Sequence, residues 1–179
     1  LETFKKKIKK NLIFKININP KIGLGHLIRC LRIVKKIKNN YEIIFVFDKL
    51  IKTSFVNKYL KKFRVINIYN KQKFTNEKND SRFFLSKLEN IEKDVVIVDD
   101  YRIGKIWHKE VKKKIKKLIV IDDLLNRKFY CDYYINYKLN NNNSLTKKAK
   151  KYCNQTSKLL IGNKYCIIDG RLKRKKSPI

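Results

Sequence analysis

The chain has 179 residues, 43% of them apolar, which suits one domain of ordinary size with a real core. Its 46 Lys and Arg against 15 Asp and Glu give a formal net charge of +31. No apolar run approaches the roughly 18 residues that a spanning helix needs, so a membrane span is excluded.

The charge has two readings. Nucleic acid or an anionic membrane surface is the functional one. The cations, however, are 38 Lys and 8 Arg, whereas phosphate and base readout favours Arg. They are also spread along the whole chain. Asn, Ile and Lys are abundant together and share A/T-rich codons, so a genome of low G+C content produces the same bias without function. The compositional reading is preferred, with no specific nucleic-acid partner and only salt-sensitive polyanion binding expected.

Cys30, Cys131, Cys153 and Cys166 show no Cys-x-x-Cys spacing, and the two histidines do not cluster with them. Reduced, mostly buried thiols, no metal and no cofactor are expected. The basic start, Leu1 to Lys10, is followed by a short apolar stretch that Lys15 and Asn17 interrupt. That is a poor secretory signal, and the protein reads as cytoplasmic.

In chain order, residues 1–10 form a basic leader, flexible or in a short helix. Leu12 to Ile18 is the first strand, and 26–38 the first helix. Tyr41 to Phe47 is a second strand, apolar nearly throughout, as a parallel strand covered on both faces should be. A helix over Phe55 to Lys62 and a strand over Arg64 to Tyr69 follow. Residues 70–80 read as a loop, and Phe83 to Ile91 as a helix. Asp94 to Tyr101 is the clearest strand. Ile106 to Lys117 is a basic helix, with Trp107, Val111 and Ile115 at helical spacing and His108 exposed and without a role. Leu118 to Asp123 repeats the buried strand with an acidic end, and Asp132 to Asn136 is a short strand. Residues 138–151 are a surface loop or weak helix. Leu159 to Gly162 and Tyr165 to Ile168 precede a basic, structureless tail over 171–179.

This alternation predicts an α/β fold, a Rossmann-like parallel sheet with helices on both faces, spanning residues 11–170. Ligands in such sheets bind at the carboxyl ends of the strands. The stretch Gly23-Leu24-Gly25-His26-Leu27-Ile28-Arg29-Cys30 lies there, between the first strand and the first helix. Two glycines allow a tight turn and close backbone approach to a ligand. The first helical turn offers free N–H groups to an anion. His26 on that turn is placed to act as a general base for water. The same octapeptide also reads as a plain βα turn in which His26 caps the helix. It is neither a full dinucleotide fingerprint nor a Walker loop. Asp99-Asp100 and Asp122-Asp123 end two strands and could serve metal or acid–base chemistry, but the preferred reading is structural, because aspartates commonly end strands, make turns and cap helices. Tyr101 either faces a ligand or lies on the surface.

An ordered series of motifs carries a resemblance. It comprises Gly23-x-Gly25-His26-x-x-Arg29-Cys30, then Val96-Ile97-Val98-Asp99-Asp100-Tyr101, then Ile121-Asp122-Asp123-Leu124 with Arg127. Cys131-Asp132, Ile135-Asn136 and Leu160-Ile161-Gly162-Asn163-Lys164-Tyr165 complete it. Over residues 12–170 this resembles the hydrolases that act on UDP-2,4-diacetamido-2,4,6-trideoxy-β-L-altropyranose in pseudaminic acid biosynthesis. That family is similar in architecture to the GT-B glycosyltransferases. The resemblance implies metal-independent cleavage at the anomeric carbon with inversion and release of UDP, water being the acceptor. It implies that His26 holds the attacking water, that Gly23, Gly25 and Arg29 bind substrate, and that Tyr101 lies near the sugar. Asp122 and Asp123 would shape the cleft.

Two departures accompany the resemblance. Lys15-Ile16-Asn17 stands where the family has Arg-x-Asp. The chain begins at Leu1 and reaches Ile179 about where the first of two GT-B halves ends. The expectation is an N-terminal half, as a fragment, half of a split gene or a decayed copy, that alone binds UDP poorly and turns over slowly or not at all, with a C-terminal half as a possible partner in trans. A glycosyltransferase using a nucleotide sugar and a basic nucleic-acid-binding module are the alternatives.

Overall fold

The computed structural model describes residues 9–18, 23–49, 53–69, 73–138 and 142–167. Seven strands form one sheet, parallel throughout: β1 (Lys10–Ile16), β2 (Tyr41–Phe47), β3 (Arg64–Asn67), β4 (Val95–Asp99), β5 (Lys117–Ile121), β6 (Tyr133–Asn136) and β7 (Lys158–Ile161). Their order across the sheet is β3-β2-β1-β4-β5-β6-β7. The chain therefore winds outward from β1 to β3, crosses back, and winds the other way from β4. This is the doubly wound, Rossmann-like α/β arrangement that the alternating pattern predicts. The reversal falls between β1 and β4, where such folds open a crevice.

The strands are apolar on both sides because both sides are covered. On one face Leu12, Phe14, Ile16, Phe45 and Phe47 pack against two helices, α1 (Gly25–Ile37) and α2 (Ser54–Leu60). Phe14 and Phe45 stack across the β1–β2 pair with ring centroids 5.1 Å apart. On the other face Ile13, Val46, Val96, Val98, Leu118 and Val120 meet three helices, α3 (Glu77–Lys87), α4 (Lys105–Lys112) and α5 (Asn142–Tyr152). Each such fully buried aliphatic or aromatic side chain contributes roughly 1.5–3 kcal/mol of transfer free energy. Side-chain parity along β1 decides which residues reach which layer. His26 and Cys30 of α1 lie on the Phe14 side, and Lys15 reaches the other.

Several element boundaries differ from expectation, each for a local reason. Strand β1 starts at Lys10, inside the expected leader, because its first residues pair with Tyr41 and Glu42 of β2. Residues 1–8 and the tail 171–179 lie outside the described residues. Helix α3 starts at Glu77, not Phe83, and removes the end of the expected 70–80 loop. Asn76 caps it by accepting from the Asn79 N–H at 2.9 Å, and Glu77 and Asp80 favour its first turn. Of the two readings for 138–151, loop or weak helix, the helix holds over residues 142–152, because Leu145 and Ala149, four apart, pack onto the core. Helix α4 ends at Lys112, and a turn returns the chain to β5. No helix among the described residues is long and apolar enough to cross a membrane.

Candidate functional site

The turn after β1 brings its residues to the crevice. Gly23 has φ of +73°, a left-handed conformation that side chains resist. Gly25 has no such requirement, and a Cβ there would meet open space. It opens α1, whose cap position, Leu24, supplies no side-chain bond and whose first turn holds no acidic residue. That end of the helix therefore keeps its N–H groups and positive dipole available to an anion.

His26 is buried, and its Nδ1 lies 2.5 Å from Oδ1 of Asp99, the last residue of β4. Arg29, one turn further along α1, grips the same carboxylate at both oxygens. Its Nε donates to Oδ2 and its Nη2 to Oδ1, each at 2.6 Å. With two cationic donors on a fully buried Asp99, the Nδ1–H of His26 is the third donor. A carboxylate acceptor favours the proton on Nδ1 and leaves Nε2 as the basic ring nitrogen. The Arg29 guanidinium stays ionised. Burial opposes its charge, and the hydrogen bonds and charge of Asp99 outweigh it.

Tyr101 stands edge-on to the His26 ring, with centroids 4.7 Å apart, and donates its hydroxyl to Asp123 Oδ1 at 2.6 Å. Burial and that bond push its phenol up to about 12. A cavity of about 450 Å³ opens on Gly25, His26, Arg29, Arg32, Tyr101 and Tyr137. Its far wall is the segment at Cys166 and Ile167, held where Arg32 Nη1 donates to the Ile167 carbonyl at 3.3 Å.

Of the residues singled out in the sequence, Gly25, His26, Arg29 and Tyr101 line one cavity, and Gly23 shapes the turn leading into it. Asp99 is the participant that sequence reasoning assigned to turn-making. The sequence signals were its place at the carboxyl end of a strand and its membership of the Val96–Tyr101 motif; neither names His26 as its partner, since that contact spans 73 positions. Asp122 does behave as a turn former: Oδ1 accepts from the Leu124 and Leu125 N–H groups, and Oδ2 pairs with Arg127 at 2.8 Å.

A second cluster lies behind the crevice, where Lys15 departs from the expected arginine. Its side chain is fully buried, with Nζ 2.5 Å from Asp48, 3.5 Å from Asp100 and 3.7 Å from Asp80. Arg102 bridges Asp48 and Asp100 at 2.6 Å each. Asp80 also accepts from the Tyr69 hydroxyl and the Trp107 indole, both at 2.8 Å. Burial alone would raise the Asp100 carboxyl, but Lys15 and Arg102 outweigh it and hold it down at about 2. For Asp80 burial prevails over Lys15, and its carboxyl is raised. Asn17, two residues on, is buried with its Nδ2 lacking a partner. The network fastens the ends of β1, β2 and β4 on either side of the crevice.

His108 corrects an expectation. It is fully buried, because α4 turns that face onto Phe129 and the core. Its Nδ1 accepts from the Tyr130 N–H at 3.4 Å, and its Nε2 has no partner. Burial, then Arg127, lower its pKa to about 3. The four cysteines are free, Cys30 and Cys131 buried. No group of His, Cys, Asp or Glu among the described residues is arranged to hold a metal ion.

Fold and cluster together define the class: a Rossmann-like α/β domain with a carboxylate-oriented histidine at its topological switch point. No family model matches the sequence, and no curated protein matches it.

Proposed function

We propose that the chain carries the catalytic histidine of a nucleotide-sugar hydrolase. Its substrate would be a UDP-linked diacetamido-trideoxy sugar of the kind used to make pseudaminic acid. The observation that carries this reading is the His26–Asp99 pair, braced by Arg29 and opening on the 450 Å³ cavity. A base oriented by a buried carboxylate is the arrangement general-base catalysis needs. Water held at His26 Nε2 attacks the anomeric carbon. The bond from that carbon to the UDP oxygen breaks, and its electron pair leaves with UDP. The water proton passes to Nε2, and Asp99 stabilises the imidazolium that results. Attack opposite the leaving group inverts the centre. Arg32, Gly25 and the open first turn of α1 lie where a diphosphate charge would be met, with Tyr101 beside the sugar. In a GT-B-like assembly most uridine contacts would come from a C-terminal half acting as a partner.

The test is UDP release from the diacetamido-trideoxy-altrose nucleotide, with and without an added C-terminal half. Wild type is expected to release UDP and free sugar, and His26→Ala to lose about 10²–10⁴-fold, the usual worth of a general base. UDP release only when a sugar acceptor is added would replace the hydrolase with a glycosyltransferase of the same fold. Release unaffected by His26→Ala would overturn the reading.

A further inference from the structure

Six lysines that are scattered in the sequence share one edge of the fold. In an all-parallel sheet every strand begins, and every crossover helix ends, at the same edge. Here that edge lies opposite the one carrying His26 and Asp99. It collects Lys36 and Lys38 at the end of α1, Lys61 and Lys62 after α2, Lys114 after α4 and Lys150 in the last turn of α5. All six are exposed, and none has an acidic partner among the described residues. Neighbouring Lys112, Lys113 and Lys116 are partly neutralised by Asp132, Glu110, Glu92 and Asp94. The aspartates of the crevice, Asp48, Asp99, Asp100, Asp122 and Asp123, sit at the opposite edge.

We infer that this edge docks electrostatically on an anionic lipid bilayer. Charge complementarity and shape both favour that occupant. Seven strands about 4.8 Å apart make the edge roughly 30 Å wide, and cations flank it on both helical layers. This is a breadth suited to a plane rather than a groove. The cations are lysine point charges, which attract a charged surface without needing the bidentate geometry of arginine. Single-stranded nucleic acid would call for open aromatic platforms. At this edge Tyr133 and Tyr152 carry lysines over their rings, Lys117 at 5.8 Å and Lys128 at 5.3 Å, and the exposed Tyr59 at the end of α2 is a single ring rather than a row of platforms. Docked this way, the domain turns the His26 cavity away from the bilayer and toward soluble ligands.

The experiment is co-sedimentation of the full chain with vesicles of phosphatidylcholine, alone or with phosphatidylserine. One variant changes the edge sextet Lys36, Lys38, Lys61, Lys62, Lys114 and Lys150 to Gln. A control variant removes the same charge elsewhere by changing Lys49, Lys73, Lys78, Lys105, Lys138 and Lys164. Wild type should bind only the phosphatidylserine vesicles and release as salt rises. The edge sextet should weaken binding at least tenfold and the control less than threefold, and Lys→Arg at the edge sextet should retain it. Thermal melts establish that each variant is folded. Equal losses in the two variants would make the charge a matter of composition and overturn the proposal. So would equal binding to neutral vesicles. Retained vesicle binding with loss of single-stranded RNA binding in the edge variant would assign the edge to nucleic acid instead.

Discussion

Lys15→Met is the most informative single change in the fold. Methionine nearly matches the lysine stem in volume, so the variant removes a charge without opening a cavity. The lost ammonium faces three carboxylates, at 2.5, 3.5 and 3.7 Å. Arg102 still holds Asp48 and Asp100. Asp80 is left with two neutral donors, Tyr69 and Trp107, in a fully buried position. Breaking a buried pair by deleting one partner typically costs about 3–5 kcal/mol. The surviving arginine places the expectation at the lower end, about 3 kcal/mol. For a chain of this size that lowers the melting temperature by about 6–12 °C. Urea denaturation should show the midpoint falling with the slope unchanged. Adding Asp80→Asn should restore a substantial part of the loss, because it removes the orphaned charge. The deficit should also narrow in acid, where Asp80 takes up a proton. A loss below about 1 kcal/mol, or a double variant less stable than the single one, would refute a network held together by Lys15.

Three further outcomes follow from single residues. Gly23→Ala should cost about 1–2 kcal/mol in urea denaturation, from the left-handed backbone alone, while Gly25→Ala, in open space with an ordinary φ, should not carry that penalty. The His108 pKa is about 3 in the fold against 6.5 unfolded, so the unfolded chain binds the extra proton as pH falls through 6.5. Stability should therefore drop by about 2 kcal/mol between pH 6.5 and 5, and His108→Phe, which removes the unpartnered Nε2, should flatten that slope. The phenol of Tyr101 ionises near 12 in the fold against 10 unfolded, so its contribution is complete below pH 10 and lost as pH rises toward 12. Denaturation of wild type and Tyr101→Phe over that range should converge; parallel curves would remove the Tyr101–Asp123 bond from the account.

Local pattern carried the fold. Runs such as Tyr41–Phe47 and Val95–Asp99 are apolar on both faces, which only a covered parallel strand tolerates, and the intervening helices show their own periodicity. Where local signals competed, boundaries moved. Asn76 and Glu77 start a helix inside a polar stretch that resembles a loop, and α5 is held by two core contacts on an otherwise Asn- and Lys-rich segment. His108 looked exposed because its neighbours are basic, yet helical geometry turned it inward beside Trp107.

The sequence by itself determined the strand–helix alternation, the turn at Gly23 and the position of His26 at the start of α1, because each depends on residues within a few positions of one another. Only the tertiary structure decided that Asp99 orients His26, that Lys15 binds three distant aspartates, and that lysines from the ends of α1, α2, α4 and α5 share one edge. Those relations join residues 33 to 85 positions apart, or repeat once per crossover. The physical cause is the parallel sheet, which sorts strand ends to one side and helix ends to the other whatever their separation along the chain.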